Sequence, residues 1–197
     1  MLIWLNGPHG VGKTQVAFDL HRRLPGSVVC DPEHLVNGLR RMLPDKELRT
    51  GLGGVPLWRS GVRDVLGAVL AAAAGPVISP MTMSDPDGLA EIIGPLRAAG
   101  HAVHHVTLLA SRDVLLHRRR SRLESTRGSA ARQFDLVLDA LLAPEFARHL
   151  NTDGLPIGSV ADDIARHAGL KLEPDGDGLV RRRIRRTRIQ LRHIRWG

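Results

Sequence analysis

Gly7-Pro8-His9-Gly10-Val11-Gly12-Lys13-Thr14 follows the spacing G-x-x-x-x-G-K-[ST]. Glycines at those positions let backbone N–H groups turn inward toward phosphate oxygens, and a helix that begins at the lysine adds the positive end of its dipole. In such a loop Gly7, Gly10, Val11, Gly12 and Gln15 surround the phosphates, Lys13 bridges the terminal ones, and the Thr14 hydroxyl is offered to Mg²⁺. A chance match in a chain of this length is on the order of one percent, so a glycine turn without a ligand is the weaker reading. The pattern points to a nucleoside triphosphate, ATP with magnesium. His9 occupies a free position of the pattern, where an exposed loop residue and a substrate contact are equal readings.

The other chemically able residues are scattered along the chain. Asp31 follows the second apolar run and precedes Pro32-Glu33. It has two compatible roles, capping the helix that starts at Pro32, and acting at the site as a proton acceptor or as a magnesium partner through water. Arg118, Arg120 and Arg122, with Arg127 beyond them, end a helix and enter the next loop. From a lid they would neutralise a phosphoryl group in transfer; the plain alternative is a solvated basic helix face. His101, His104 and His105 alternate on a strand, so His101 and His105 share a face that His104 does not, and joint metal ligation is awkward. The third strand runs Val77-Ile78-Ser79-Pro80-Met81-Thr82 without the carboxylate that often organises magnesium at this point. Asp31 or Asp85 could stand in, and Thr82 is placed to touch substrate.

These residues need a scaffold that gathers them, and the pattern of apolar runs and breakers supplies one. Strands are predicted over Leu2–Asn6, Ser27–Cys30, Pro76–Ser79 and Ala102–Leu109, with a weaker one near His149–Thr152. Helices are predicted over about Lys13–Leu24, His34–Leu43, Leu57–Ala74, Pro86–Ala99, Ser111–Glu124, Ser129–Leu142 and Ile157–Ala168. Regular βα alternation implies a five-stranded parallel sheet covered by helices on both faces, with the functional residues at the carboxyl edge of the strands. On that fold Asn151, Thr152 and Asp153, after the last strand, line a base pocket. The glycine-containing stretch Pro44–Pro56 reads as a loop over the site or a surface connection. The domain is predicted over residues 1–171 with a lid at about 111–128, followed by a linker at 172–178 and an appended segment at 179–197.

Composition narrows the classes of function. With 43% hydrophobic residues in 197, the chain is long enough for one real core. Aromatics make up 3% and tyrosine is absent, which supplies few stacking platforms for single-stranded nucleic acid, so no specific nucleic-acid partner is expected. The formal charge of +8 is confined to the end of the chain. Setting aside the eight arginines beyond Leu179 leaves 20 basic residues against 20 acidic ones. There Val180, Ile184, Thr187, Leu191 and Ile194 recur at helical spacing among those arginines, with Trp196 beside them. This is the pattern of a basic amphipathic helix, suited first to an anionic membrane surface, with docking on the domain or binding of acidic polymers as alternatives. The single Cys30 fits a reducing compartment, the start of the chain lacks signal-peptide features, and Val65–Ala74 is too short to span a bilayer. A cytoplasmic location is expected, peripheral on the inner face of the membrane if the terminal helix inserts.

The chain resembles the tunicamycin-resistance ATP-binding proteins, small P-loop proteins similar in fold to nucleoside monophosphate kinases and chloramphenicol phosphotransferase. The likeness rests on Ile3-Trp4-Leu5-Asn6-Gly7, Gly12-Lys13-Thr14-Gln15, Leu20-His21-Arg22-Arg23-Leu24 and Asp31-Pro32-Glu33. It continues through Pro56-Leu57-Trp58-Arg59, Pro80-Met81-Thr82, Glu91-Ile92-Ile93-Gly94, Val103-His104-His105 and Arg118 with Arg120 and Arg122. The resemblance implies ATP-dependent self-protection against a nucleoside antibiotic carrying uracil, amino sugars and a fatty acyl chain, with membrane association through the terminal helix. Asp31, His34, Trp58, Arg59, Met81 and Thr82 are the substrate-side residues expected on this basis. Phosphoryl transfer to the drug is the leading expectation. ATP-dependent sequestration without turnover, and a housekeeping small-molecule or nucleotide kinase, are the alternatives.

Overall fold

The computed structural model describes residues 1–43, 56–120, 129–146 and 148–176. Five parallel strands form one sheet: β1 (Leu2–Asn6), β2 (Val28–Val29), β3 (Val77–Pro80), β4 (Val103–Leu109) and β5 (His149–Asn151), in the order β2-β3-β1-β4-β5. The helices are α1 (Lys13–Arg23), α2 (Glu33–Met42), α3 (Pro56–Ala72), α4 (Pro86–Ala98), α5 (Arg112–Arg120), α6 (Ser129–Ala140) and α7 (Ile157–His167), with a 3₁₀ turn at Pro144–Phe146. The five-stranded parallel sheet and its flanking helices are those expected from the alternation. The strand predicted over Ser27–Cys30 narrows to two residues, because β2 lies at the edge and is held only through β3, with Val28 N–H on the Pro76 carbonyl and Cys30 N–H on the Ile78 carbonyl, both at 2.9 Å.

Strand alternation divides the core in two. Ile3 and Leu5 of β1 face α1, α5 and α7 and join Val16, Leu20, Leu115, Val160 and Ile164. Leu2 and Trp4 face the other way, into a cluster with Trp58, Val62 and Leu66 of α3 and Leu89, Ile92 and Leu96 of α4. In α3 and α4 the apolar residues recur three and four apart, which gives each helix one buried stripe. The central strand is thus buried on both faces, as a parallel sheet requires.

The strand order carries the functional consequence. From β1 the chain moves to one side to build β2 and β3, then crosses to the other for β4 and β5. A crevice therefore opens at the carboxyl end of β1, where neighbouring connections diverge. Residues 7–14 occupy that point. The 44–55 loop, the lid beyond Arg120 with Arg122 and Arg127, the end of the linker and the basic segment 179–197 lie outside the described residues.

Candidate nucleotide-binding and transfer site

Residues 7–14 leave β1 and enter α1 with backbone that glycine alone accommodates well. Gly7 has φ of 140°, and a Cβ there would run into the Leu108 carbonyl oxygen of β4. The loop can lie against the sheet only because that Cβ is missing. Gly12, with φ of 110°, stands in left-handed backbone immediately before the first turn of α1, so the amino end of the helix opens directly from the loop.

Lys13 is the best-defined side chain of the site. It is 8% exposed, and its Nζ donates to the Gly7 carbonyl at 2.8 Å, the Pro8 carbonyl at 3.1 Å and the Thr82 hydroxyl at 2.8 Å. Thr82 in turn donates to the Gly7 carbonyl at 2.9 Å. Asn6, fully buried at the end of β1, ties both sides together. Its Oδ1 accepts from the Gly7 and Met83 N–H groups at 2.9 Å each, and its Nδ2 donates to the Met83 carbonyl at 2.8 Å. Thr14 is half-buried in the first turn of α1, Val11 and Gln15 are buried, and His9 is exposed.

Basic side chains approach from α5. The Arg118 guanidinium donates to the Val11 carbonyl at 3.1 Å and reaches the Thr152 hydroxyl and carbonyl at 3.4 Å. Arg119 lies over the Phe134 ring of α6 at 4.9 Å, and its Cγ is close enough to Gly10 to stand 3.2 Å from a Cβ built there. Arg120 is exposed at the end of α5. Thr152 and Asp153 serve the local frame: Thr152 donates to the Leu109 carbonyl at 3.0 Å, and the Asp153 carboxylate accepts the Ser111 N–H at 3.0 Å. Asn151 Oδ1 accepts the Asp153 N–H at 2.9 Å.

On the other side of the crevice, Asp31 Oδ1 accepts the Glu33 N–H at 2.9 Å, the turn expected of a residue that starts α2. Because β3 intervenes between β2 and β1, Asp31 stands two strand spacings, roughly 10 Å, from the phosphate-loop strand in the plane of the sheet. That offset suits a group that meets an acceptor rather than the triphosphate. Next to it, burial and then the Asp31 charge hold the Cys30 thiol above its usual range, which leaves it a poor nucleophile. His34 is exposed on α2, and Met81 and Thr82 are half-buried after β3. Arg59 pairs with Glu91 at 2.6 Å and approaches Asp85 at 3.6 Å. Trp58 is fully enclosed in the core between β1 and α3, since it begins the stripe that continues with Val62 and Leu66.

Of the three histidines, His101 precedes β4, with its N–H on the Leu96 carbonyl at 3.1 Å, and the two that lie on the strand diverge. His105 packs edge-on against Phe146 and His104 against His167 on the opposite face. A groove of about 420 Å³ lined by Arg23, Asp162 and Lys171 lies where α1 and α7 end, at the edge of the sheet away from the loop.

The arrangement is that of a nucleotide site at the head of a parallel sheet, and known proteins share it. A family described as AAA domain matches residues 2–144. The tunicamycin resistance protein of Deinococcus radiodurans is 34% identical, with a TM-score of 0.71 over 88% of this chain and 98% of that one. The chain belongs to the family of the tunicamycin resistance proteins, within the AAA domain group. Shikimate kinase from Bacteroides thetaiotaomicron is similar in fold at 23% identity and a TM-score of 0.58, covering 86% of this chain and 99% of that one. A gluconokinase from Sinorhizobium meliloti is similar at 17% identity and 0.58, covering 85% and 93%. No curated protein sequence matches at a comparable level.

For a tunicamycin resistance family member, three features of the site escape a reading by motif. Asn6 sits one residue before the pattern and reads as strand; its part in holding Met83 is visible only once β1 and β3 are neighbours. Arg119 runs its aliphatic stem past Gly10 and sets its guanidinium over Phe134, whereas the i, i+2 spacing of Arg118 and Arg120 places those two on different sides of α5. Thr82 falls where a carboxylate is usual, and only its contact with Lys13 shows what the position does.

Proposed function

We propose that the protein transfers the terminal phosphoryl group of ATP to a hydroxyl of a tunicamycin-like nucleoside antibiotic. The observation that carries this reading is the phosphate loop with its buried lysine, in a chain that matches a tunicamycin resistance protein over nearly its whole length.

The residues present fit Mg-ATP: a loop whose close approach to β4 excludes a Cβ, a lysine at its mouth, and a threonine hydroxyl in the first turn of α1. Bound magnesium would spread the charge of the β- and γ-phosphates. The protein's own part is positioning and charge. Loop N–H groups and Lys13 hold the phosphates, Thr14 supplies the metal-side hydroxyl, and Asp31 takes the proton of the acceptor hydroxyl as it attacks the terminal phosphorus. The bond from that phosphorus to the bridging oxygen breaks, and ADP leaves. Arg118, which donates to the Val11 carbonyl, would balance charge on the moving group, joined by Arg120 and Arg122 further along the chain. Asp31 at the acceptor side is joined by His34, Arg59, Met81 and Thr82.

A second reading, ATP-dependent sequestration of the drug, draws support from Thr82, a hydroxyl where a carboxylate is usual. Mass spectrometry of tunicamycin incubated with the protein and Mg-ATP separates the two, with Lys13→Ala as the blank. A gain of one phosphate is expected. Unchanged drug that stays tightly bound only with ATP supports sequestration, and neither result points to a different acceptor. The arginine-rich segment 179–197 is proposed to place this chemistry at an anionic membrane surface. A chain ending at Gly178 should then keep ATP binding and lose sedimentation with anionic liposomes; unchanged partitioning would remove the anchor.

A further inference from the structure

The position after β3 is built more firmly than a substrate contact requires. Pro80 is in register with Leu5, and the Met81 N–H donates to the Leu5 carbonyl at 2.9 Å. Two residues on, Asn6 grips both backbone groups of Met83. Thr82 is therefore held from either side by β1, and its hydroxyl has a defined direction: it donates to Gly7 at 2.9 Å and accepts from Lys13 at 2.8 Å. All the partners belong to the phosphate loop.

We propose that Thr82 is a positioning residue for Lys13, and that its neutrality makes triphosphate binding only weakly dependent on a divalent cation. This rests on the reading of residues 7–14 as the triphosphate site, and not on phosphoryl transfer. The reason is electrostatic. A carboxylate in this place would pair with the buried ammonium and repel the incoming phosphates unless a divalent cation stood between them. A hydroxyl orients the same ammonium through one hydrogen bond and leaves its charge for the nucleotide. The clamp from Asn6 supplies the rigidity that an ion pair would otherwise give.

The test is the affinity for ATP measured by calorimetry on the full chain, once with Mg²⁺ and once with EDTA. The wild type should bind in both, with affinities within about tenfold. Thr82→Val should weaken binding about tenfold to a hundredfold under both conditions, the scale of one lost hydrogen bond to a charged group, and Thr82→Ser should keep the wild-type affinity. Thr82→Asp should bind with Mg²⁺ but lose at least tenfold more affinity in EDTA than the wild type does. Binding by Thr82→Val equal to wild type, or an unchanged metal dependence in Thr82→Asp, would overturn the proposal. A wild type that binds no ATP at all would overturn the loop reading along with it. Circular dichroism melts of each variant separate these outcomes from loss of fold, and the metal dependence of Thr82→Asp decides the question if Thr82→Val does not fold.

Discussion

Asp31 carries one observed role and one proposed one, and a substitution can pull them apart. Its Oδ1 accepts the Glu33 N–H, which starts α2, while its place after β2 puts it at the carboxyl edge of the sheet, where the proposed mechanism uses it as proton acceptor. Asparagine keeps an acceptor oxygen for the turn and gives up basicity. Asp31→Asn should therefore melt within about 1 kcal/mol of wild type, bind ATP normally, and lose turnover by about a hundredfold or more. Full turnover in steady-state assays would transfer the proton-acceptor role to another group. At this scale the sequence was informative wherever a motif dictates chemistry, as for Lys13 and Thr14. It was silent on the contacts of Asn6 and Arg119, which come from a neighbour 77 residues away in the first case and, in the second, from the rotation of α5 that sets the side chain between Gly10 and Phe134.

Among the elements, α1 matters most, since its first turn carries Lys13 and Thr14. Its far end is tied down by Arg23, which is 7% exposed, pairs with Asp162 of α7 at 2.6 Å and Asp19 at 3.4 Å, and donates to the Glu173 carbonyl at 2.9 Å. Arg22 adds Asp19 at 3.0 Å and Asp175 at 2.8 Å. Breaking a buried pair leaves a desolvated carboxylate, at a typical cost of about 3–5 kcal/mol; the remaining Arg22 and the half-exposed Asp162 bring this case to the low end or just below it. Arg23→Met should lower stability by about 2–3 kcal/mol in urea titrations, with ATP affinity little changed because the loop lies at the other end of the helix. A loss below about 0.5 kcal/mol would mean that the network contributes no more than surface ion pairs do. The existence of α1 and its start were legible from the loop pattern and Pro25-Gly26. Its fastening to α7 was not, because Asp162 lies on a helix whose sequence spacing carries no mark of the partner.

For the molecule as a whole, the sheet places a histidine where water cannot easily follow. His105 of β4 is pushed down to about 4, first by burial, then by Arg97 and His149, and its ring sits against Phe146 and the Thr107 hydroxyl. Burial, His167 and the amino terminus lower His104 in the same direction. The folded-state value is depressed below the unfolded one, so well above the ordinary histidine value of 6.5 both states are neutral and stability is complete. As pH falls from there, the unfolded chain takes up a proton that the folded one refuses, and stability is lost until the folded value is passed. The loss should reach about 2 kcal/mol between pH 6.5 and about 5, before most carboxylates titrate. Thermal melts of wild type and His105→Gln across this range check it: the variant should show a distinctly shallower slope, and parallel slopes would assign the acid sensitivity elsewhere.

The order of elements, the parallel sheet and the phosphate loop followed from local rules: alternating apolar runs, glycine and proline breakers, and a motif whose chemistry is contained in eight consecutive residues. Those rules act over a few residues and need no knowledge of what lies opposite. The strand order β2-β3-β1-β4-β5, the enclosure of Trp58, the fastening of α1 by Arg23 and the meeting of Asn6, Thr82 and Lys13 were decided by packing. Each depends on which distant segments share a face or an edge, and that is set by burying both sides of β1 at once rather than by any spacing along the chain.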